Sequence, residues 1–113
     1  MDLLERLRKS RETGVTVGKY KLTITRPTDV DAASMKYDNE REALEGVSRF
    51  VIGWEGVTEL DIVPGGTADP VQFEKTLFYE WLKDQPDLWG PLIEAVMTAY
   101  TNHRERQDKQ GNA

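Results

Sequence analysis

Apolar positions recur at two different periods along this chain, and the change of period sketches its fold. Leu3, Leu4 and Leu7 form an i, i+1, i+4 stripe among charged residues, which predicts a short amphipathic helix over about residues 2–12, closed by Thr13-Gly14. So short a helix is marginal alone and must dock, either on its own domain or on another copy. Val15 and Val17 then alternate, and Tyr20, Leu22 and Ile24 alternate on the opposite parity. A two-residue Gly18-Lys19 turn of type II′ explains the switch. It predicts a β-hairpin whose second strand stops at Pro27, which has no N–H to donate.

Helical periods take over downstream. Thr28 with Asp29 and Asp31 reads as a helix start, with Val30, Ala33 and Tyr37 on one face. Asn39 and Glu42 make a second cap-like pair, after which Ala43, Leu44, Val47, Phe50, Val51 and Trp54 recur at three- and four-residue steps. That spacing favours a helix running to Trp54 and stopped by Gly53 and Gly56, since glycine enters the left-handed region without a Cβ clash. A buried strand at Arg49–Ile52 is the competing reading of the same run. Either way, Trp54 between its two glycines is the expected structural anchor of the core.

The turn formers of Pro64-Gly-Gly-Thr-Ala-Asp-Pro70 predict a loop, flanked by short strands at Leu60–Val63 and Val71–Phe73. Phe73, Leu77, Phe78, Trp81 and Leu82 share a face and predict a helix over residues 74–84. Leu88, Leu92, Val96, Ala99 and His103 predict a last helix over about 88–106, with Pro91 early, where a missing N–H does least harm. Residues 107–113 read as a frayed polar tail. The expected fold is therefore α+β: one domain over residues 1–106, mainly helical (four to five helices), with a small N-terminal β-hairpin.

Composition narrows the function classes. A chain of 113 residues can bury one modest core without metal or disulfide help, and with no cysteine it has no disulfide or thiolate chemistry. No apolar run approaches bilayer length and the N-terminus lacks a signal-peptide core, so a soluble, unexported, cytoplasmic protein with no membrane contact is expected. Charge is uneven: seven basic and three acidic side chains over residues 1–26 give +4, whereas five basic and fourteen acidic ones over 27–88 give −9. The acidic middle argues against nucleic acid as a partner. Arg6, Arg8, Lys9 and Arg11 read first as a solvated helix face, and second as a contact for phosphate or an acidic partner.

Candidate chemistry is thin. His103 is the single histidine, and the acids nearest to it in sequence, Glu105 and Asp108, lie on a helix end expected to be exposed. Gly65-Gly66 lacks the Lys-Ser/Thr of a phosphate loop, and neither a calcium loop nor a zinc ligand set is present. The expectation is a non-enzyme with no cofactor, no metal and no catalytic residue. Surface aromatics remain. Trp81 and Trp89 stand on either side of Pro86, and Tyr79 lies opposite the Leu77–Trp81 face. Trp89 is either absorbed by the core or an exposed aromatic of the kind that anchors partners.

One resemblance follows from the order of these pieces. A hairpin runs into Arg26-Pro27-Thr28-Asp29, and a helix leads to Val51-Ile52-Gly53-Trp54-Glu55-Gly56-Val57. A turn-rich loop follows, and Pro70-Val71-Gln72-Phe73 opens paired helices. Over about residues 20–100 this resembles the small tail assembly chaperones of long-tailed bacteriophages and prophages, most specifically in Gly-Trp-Glu-Gly-Val followed by Pro-x-x-Phe. The resemblance implies a non-enzymatic helper of the host cytoplasm that keeps the tape-measure protein soluble, recruits tail-tube protein and is absent from the mature virion. Some such proteins also exist in a longer, frameshifted form. Apolar grooves that accept helices are the expected binding mode. Leu3, Leu4, Leu7, Phe78, Trp81 and Trp89 are the expected partner-binding residues, with a weak homo-oligomer as a further expectation. Two other classes fit the same composition: a structural neck or tail-completion protein of the virion, and a small acidic regulatory or inhibitor protein.

Overall fold

A computed structural model describes residues 1–111. The elements run α1 (Leu3–Lys9), β1 (Glu12–Val17), β2 (Tyr20–Thr25), α2 (Asp29–Ala33), α3 (Glu40–Ser48), β3 (Val51–Glu55), α4 (Glu59–Ile62), α5 (Lys75–Leu82) and α6 (Pro86–Gly111). The chain is thus an α+β domain in which helices dominate, with one antiparallel sheet of order β1-β2-β3. Two of the expected tail residues, 112 and 113, lie outside the described residues, and α6 continues to Gly111, past the expected end at 106.

The hairpin forms as its parity switch demands. Val17 pairs with Tyr20 across Gly18-Lys19, and φ is +61° at Gly18 but not positive at Lys19, the signature of a type II′ turn. β2 stops at Thr25, two residues before the buried Pro27. Thr28 and Asp31 then form a reciprocal capping box on α2, and Asn39 caps α3 by accepting from the Glu42 amide. Val30, expected on the inner face of α2, is exposed.

The central segment departs from its expected helix. α3 ends at Ser48, and Val51–Glu55 is a strand, so Gly53 and Trp54 sit inside a sheet and stop no helix. The reason is a bulge. Leu22 faces Trp54 and Ile24 faces Val51, while the register slips between Thr23 and Ile24 and leaves one extra residue on β3. That residue turns both Val51 and Trp54, three positions apart, onto the face shared by Leu22 and Ile24. A strand with a bulge therefore mimics the three-residue step of a helix. Pairing with β2 decides the matter, because it satisfies the backbone of both strands. Gly56, at φ +77°, ends β3.

The loop differs in a similar way. The expected strand at Leu60–Val63 is the short helix α4, capped by a Thr58/Asp61 box, and the expected strand at Val71–Phe73 is reduced to a single bridge between Thr58 and Pro70. The Glu59 amide donates to Asp69 O, the Leu60 amide to Thr67 O and the Val71 amide to Val57 O, so the segment closes on itself. α6 begins at Pro86, which places Pro91 in its second turn rather than at its start.

The core lies between the sheet and α3, α5 and α6. Val17, Ile24, Val47, Val51, Leu92 and Val96 are its most completely enclosed side chains, and the predicted Leu88–His103 stripe faces it. The Gly18 turn rests directly on Leu88, where an added Cβ would come within 2.7 Å of its Cδ2. Gly18→Ala thus combines a left-handed backbone with a clash. We expect it to lower unfolding free energy by about 1–2 kcal/mol or more, read by urea denaturation.

Candidate partner-binding groove

Three tryptophans place the surfaces that remain open. Trp54 stacks edge-on against Phe73, Phe78 and Trp81, at centroid distances of 5.3, 6.1 and 6.0 Å. Its Nε1 donates to the Val71 carbonyl at 2.7 Å. Trp81 Nε1 donates to the Asp61 carbonyl at 3.0 Å, and Tyr20 meets the Trp81 ring edge-on. Phe78 and Trp81, expected to bind a partner, are 2% and 6% exposed, so they pack inside the domain and are not on its surface.

Trp89 behaves differently. Its Nε1 donates to the Leu82 carbonyl at 2.7 Å, which holds the ring at the end of α5, and the side chain is only half buried. It lines a groove of about 230 Å³ between α3, α5 and α6. Leu44 and Leu82 line the groove with it, Tyr79 contributes an exposed ring, and Arg41, Glu45 and Lys83 bring charges of both signs. The sequence singles out Trp89 and Tyr79. The contribution of α3 is not visible there, because only the packing of α3 on α6 brings Leu44 alongside.

Two larger concavities lie elsewhere on the domain. A cleft of about 600 Å³ lies between β1 and α6, with Thr13, Thr98, Asn102, Arg26 and Arg106 among its mainly polar walls. Burial, reinforced by Arg11 and Arg106, lowers the affinity of the Arg26 guanidinium for its proton. A shallower apolar groove of about 460 Å³ lies on the other side of α3, between its N-terminal end and α6. The first helix borders none of its own core: Leu3, Leu4 and Leu7 are 76%, 53% and 50% exposed, and α1 has no buried residue.

His103 finds its acid far away in sequence. It is buried on α6, with Nε2 3.7 Å from Asp29 Oδ2, while Asp108 pairs with Arg104 instead. Asp29 also accepts from the Tyr100 hydroxyl at 2.9 Å and pairs with Arg104 at 3.5 Å. This cluster ties the start of α2 to α6, and the sequence gives no sign of it. Among the described residues no group of three or more His, Asp or Glu side chains is gathered as metal ligands. No described helix is long and apolar enough to cross a membrane. No family model, no curated protein and no solved structure matches this chain.

Two carboxylates contribute to an acid response. The Tyr100 hydroxyl, followed by Arg104 and His103, holds the Asp29 carboxyl below the usual range. The Thr58 amide (2.8 Å), then its hydroxyl and Lys19, do the same for Asp61. A depressed carboxyl adds stability that is complete above its unfolded value of about 3.9 and is lost as pH falls through the lower folded value. We expect stability to decline as pH falls below about 4. Asp61→Asn should flatten that dependence while costing about 1 kcal/mol at neutral pH through the weakened cap, both read by denaturation at several pH values.

Proposed function

We propose that this protein is an assembly chaperone of the long-tailed phage type, a non-enzymatic binder that receives a helical segment of a tape-measure-like partner in the groove between α3, α5 and α6. The observation that carries the reading is the half-buried Trp89 beside the exposed Tyr79 ring, over a floor of Leu44 and Leu82. An indole already fixed by its bond to the Leu82 carbonyl loses little freedom on binding, which is the property of interface anchors. The apolar floor suits one face of an amphipathic helix, and the mixed rim of Arg41, Glu45 and Lys83 accommodates its polar flanks.

The order of the hairpin, Gly53-Trp54-Glu55-Gly56-Val57 and the Pro70-to-Phe73 entry to paired helices supports the assignment to tail assembly. On this reading the protein acts in the host cytoplasm, delivers tape-measure protein to tail-tube subunits and leaves before the particle is complete. Mass spectrometry of purified particles separates it from a neck or tail-completion subunit, which would stay behind.

The groove gives a direct test. Co-expression with a tape-measure protein should yield a soluble complex, and Trp89→Ala with Tyr79→Ala should weaken it by about tenfold or more while the circular dichroism of the free chain stays unchanged. Recovery of the complex undiminished would place recognition elsewhere. Failure to recover any tail component would overturn the assignment.

A further inference from the structure

We propose that α1 of one copy docks into the groove between α3 and α6 of a second copy, and that the exchange is reciprocal, so that two chains form a symmetric dimer. This inference concerns a different groove from the one that receives the partner helix and stands without it. Its first observation is α1 itself. Seven residues do not hold a helix in water without packing, yet Leu3, Leu4 and Leu7 keep half or more of their surface exposed and none packs on the core. At roughly 100° per residue these leucines form one stripe, with Arg6 and Arg8 flanking it on opposite sides. Neither arginine has an ion-pair partner among the described residues.

The second observation is the receiving groove. Tyr37, Ala43, Ile93 and Met97 give it an apolar floor of half-buried side chains. Asp38 and Glu40 stand on its α3 side and Glu94 on its α6 side, with no lysine or arginine among the lining residues. None of these three acids has an ion-pair partner among the described residues. The groove therefore presents apolar surface between two acidic rims, and α1 presents apolar surface between two arginines. The β1/α6 cleft, the Trp89 groove and the hollow on the hairpin lack this match, because Arg26 and Arg106 line the first, Arg41 and Lys83 the second and Lys21 the third. A reciprocal exchange closes on itself under two-fold symmetry and uses each α1 and each groove once.

Sedimentation equilibrium of the full chain over about a hundredfold concentration range tests the proposal. The native chain should convert from monomer to dimer without larger species, and added salt should weaken the dimer several-fold. Leu4→Asp with Leu7→Asp should leave a monomer, and α1 contributes no buried residue whose loss would unfold the domain. Arg6→Glu with Arg8→Glu should weaken dimerisation about a hundredfold, since attraction becomes like-charge repulsion. Adding Asp38→Lys and Glu94→Lys to that chain should restore it. A native chain that stays monomeric throughout, or a dimer insensitive to the α1 changes, overturns the proposal. So does a charge-reversed chain that the reciprocal changes fail to rescue, because α1 would then dock on another surface.

Discussion

The body of this protein depends on the edge-on packing of Trp54 against Trp81. One indole comes from the last strand of the sheet and the other from α5, so their contact joins the sheet to the helical layer. Each ring also satisfies its single polar atom on a carbonyl of the intervening segment, Val71 for Trp54 and Asp61 for Trp81. A buried indole N–H left unpaired would cost about 1–3 kcal/mol, so these bonds fix the path of residues 56–73 as firmly as the ring contacts do. The same region is anchored from outside. Asp61 receives the Thr58 cap and pairs with Lys19 at 3.3 Å, which ties the hairpin tip to α4. Turn, loop and helix converge on one aromatic cluster.

That arrangement leaves an apolar groove on each side of α3. Trp89 and Tyr79 stand on one side of this helix and the acid-rimmed Tyr37–Met97 groove on the other. Gly46, within α3, has the Tyr37 ring against it so closely that no side chain would fit, and this contact sets the wall of the acidic groove. Rigid walls of this kind suit recognition of a preformed helix, where affinity comes from apolar area already fixed in place. The molecule is also long and flat, with extents of 56 × 39 × 20 Å and a radius of gyration of 15.6 Å against about 13 Å for a compact chain of this length. The exposed α1 at one terminus and the long α6 at the other fit that elongation.

Local chemistry was legible where it is local. The Gly18-Lys19 hairpin, the Thr28 and Asn39 caps, the inward stripe of α6 and the apolar stripe of α1 are all written in residues within a turn or two of one another. Such features depend on backbone rotation, side-chain oxygen reach and the two periods of helix and strand, which sequence displays directly. The fold class follows from their sum.

What spans the chain was not legible. Val51 and Trp54 share a face through a bulge that only pairing with β2 reveals, Phe78 and Trp81 are drawn inward by the aromatic cluster, and His103 meets Asp29 across the domain. The two grooves exist because α3 packs on α6, a contact that no spacing records. The sequence by itself determined the hairpin turn, the capped starts of α2 and α3, the helical character of α5 and α6, and the apolar stripe of α1. Only the tertiary structure decided which aromatics stay outside, because burial is a property of neighbours brought together from distant parts of the chain.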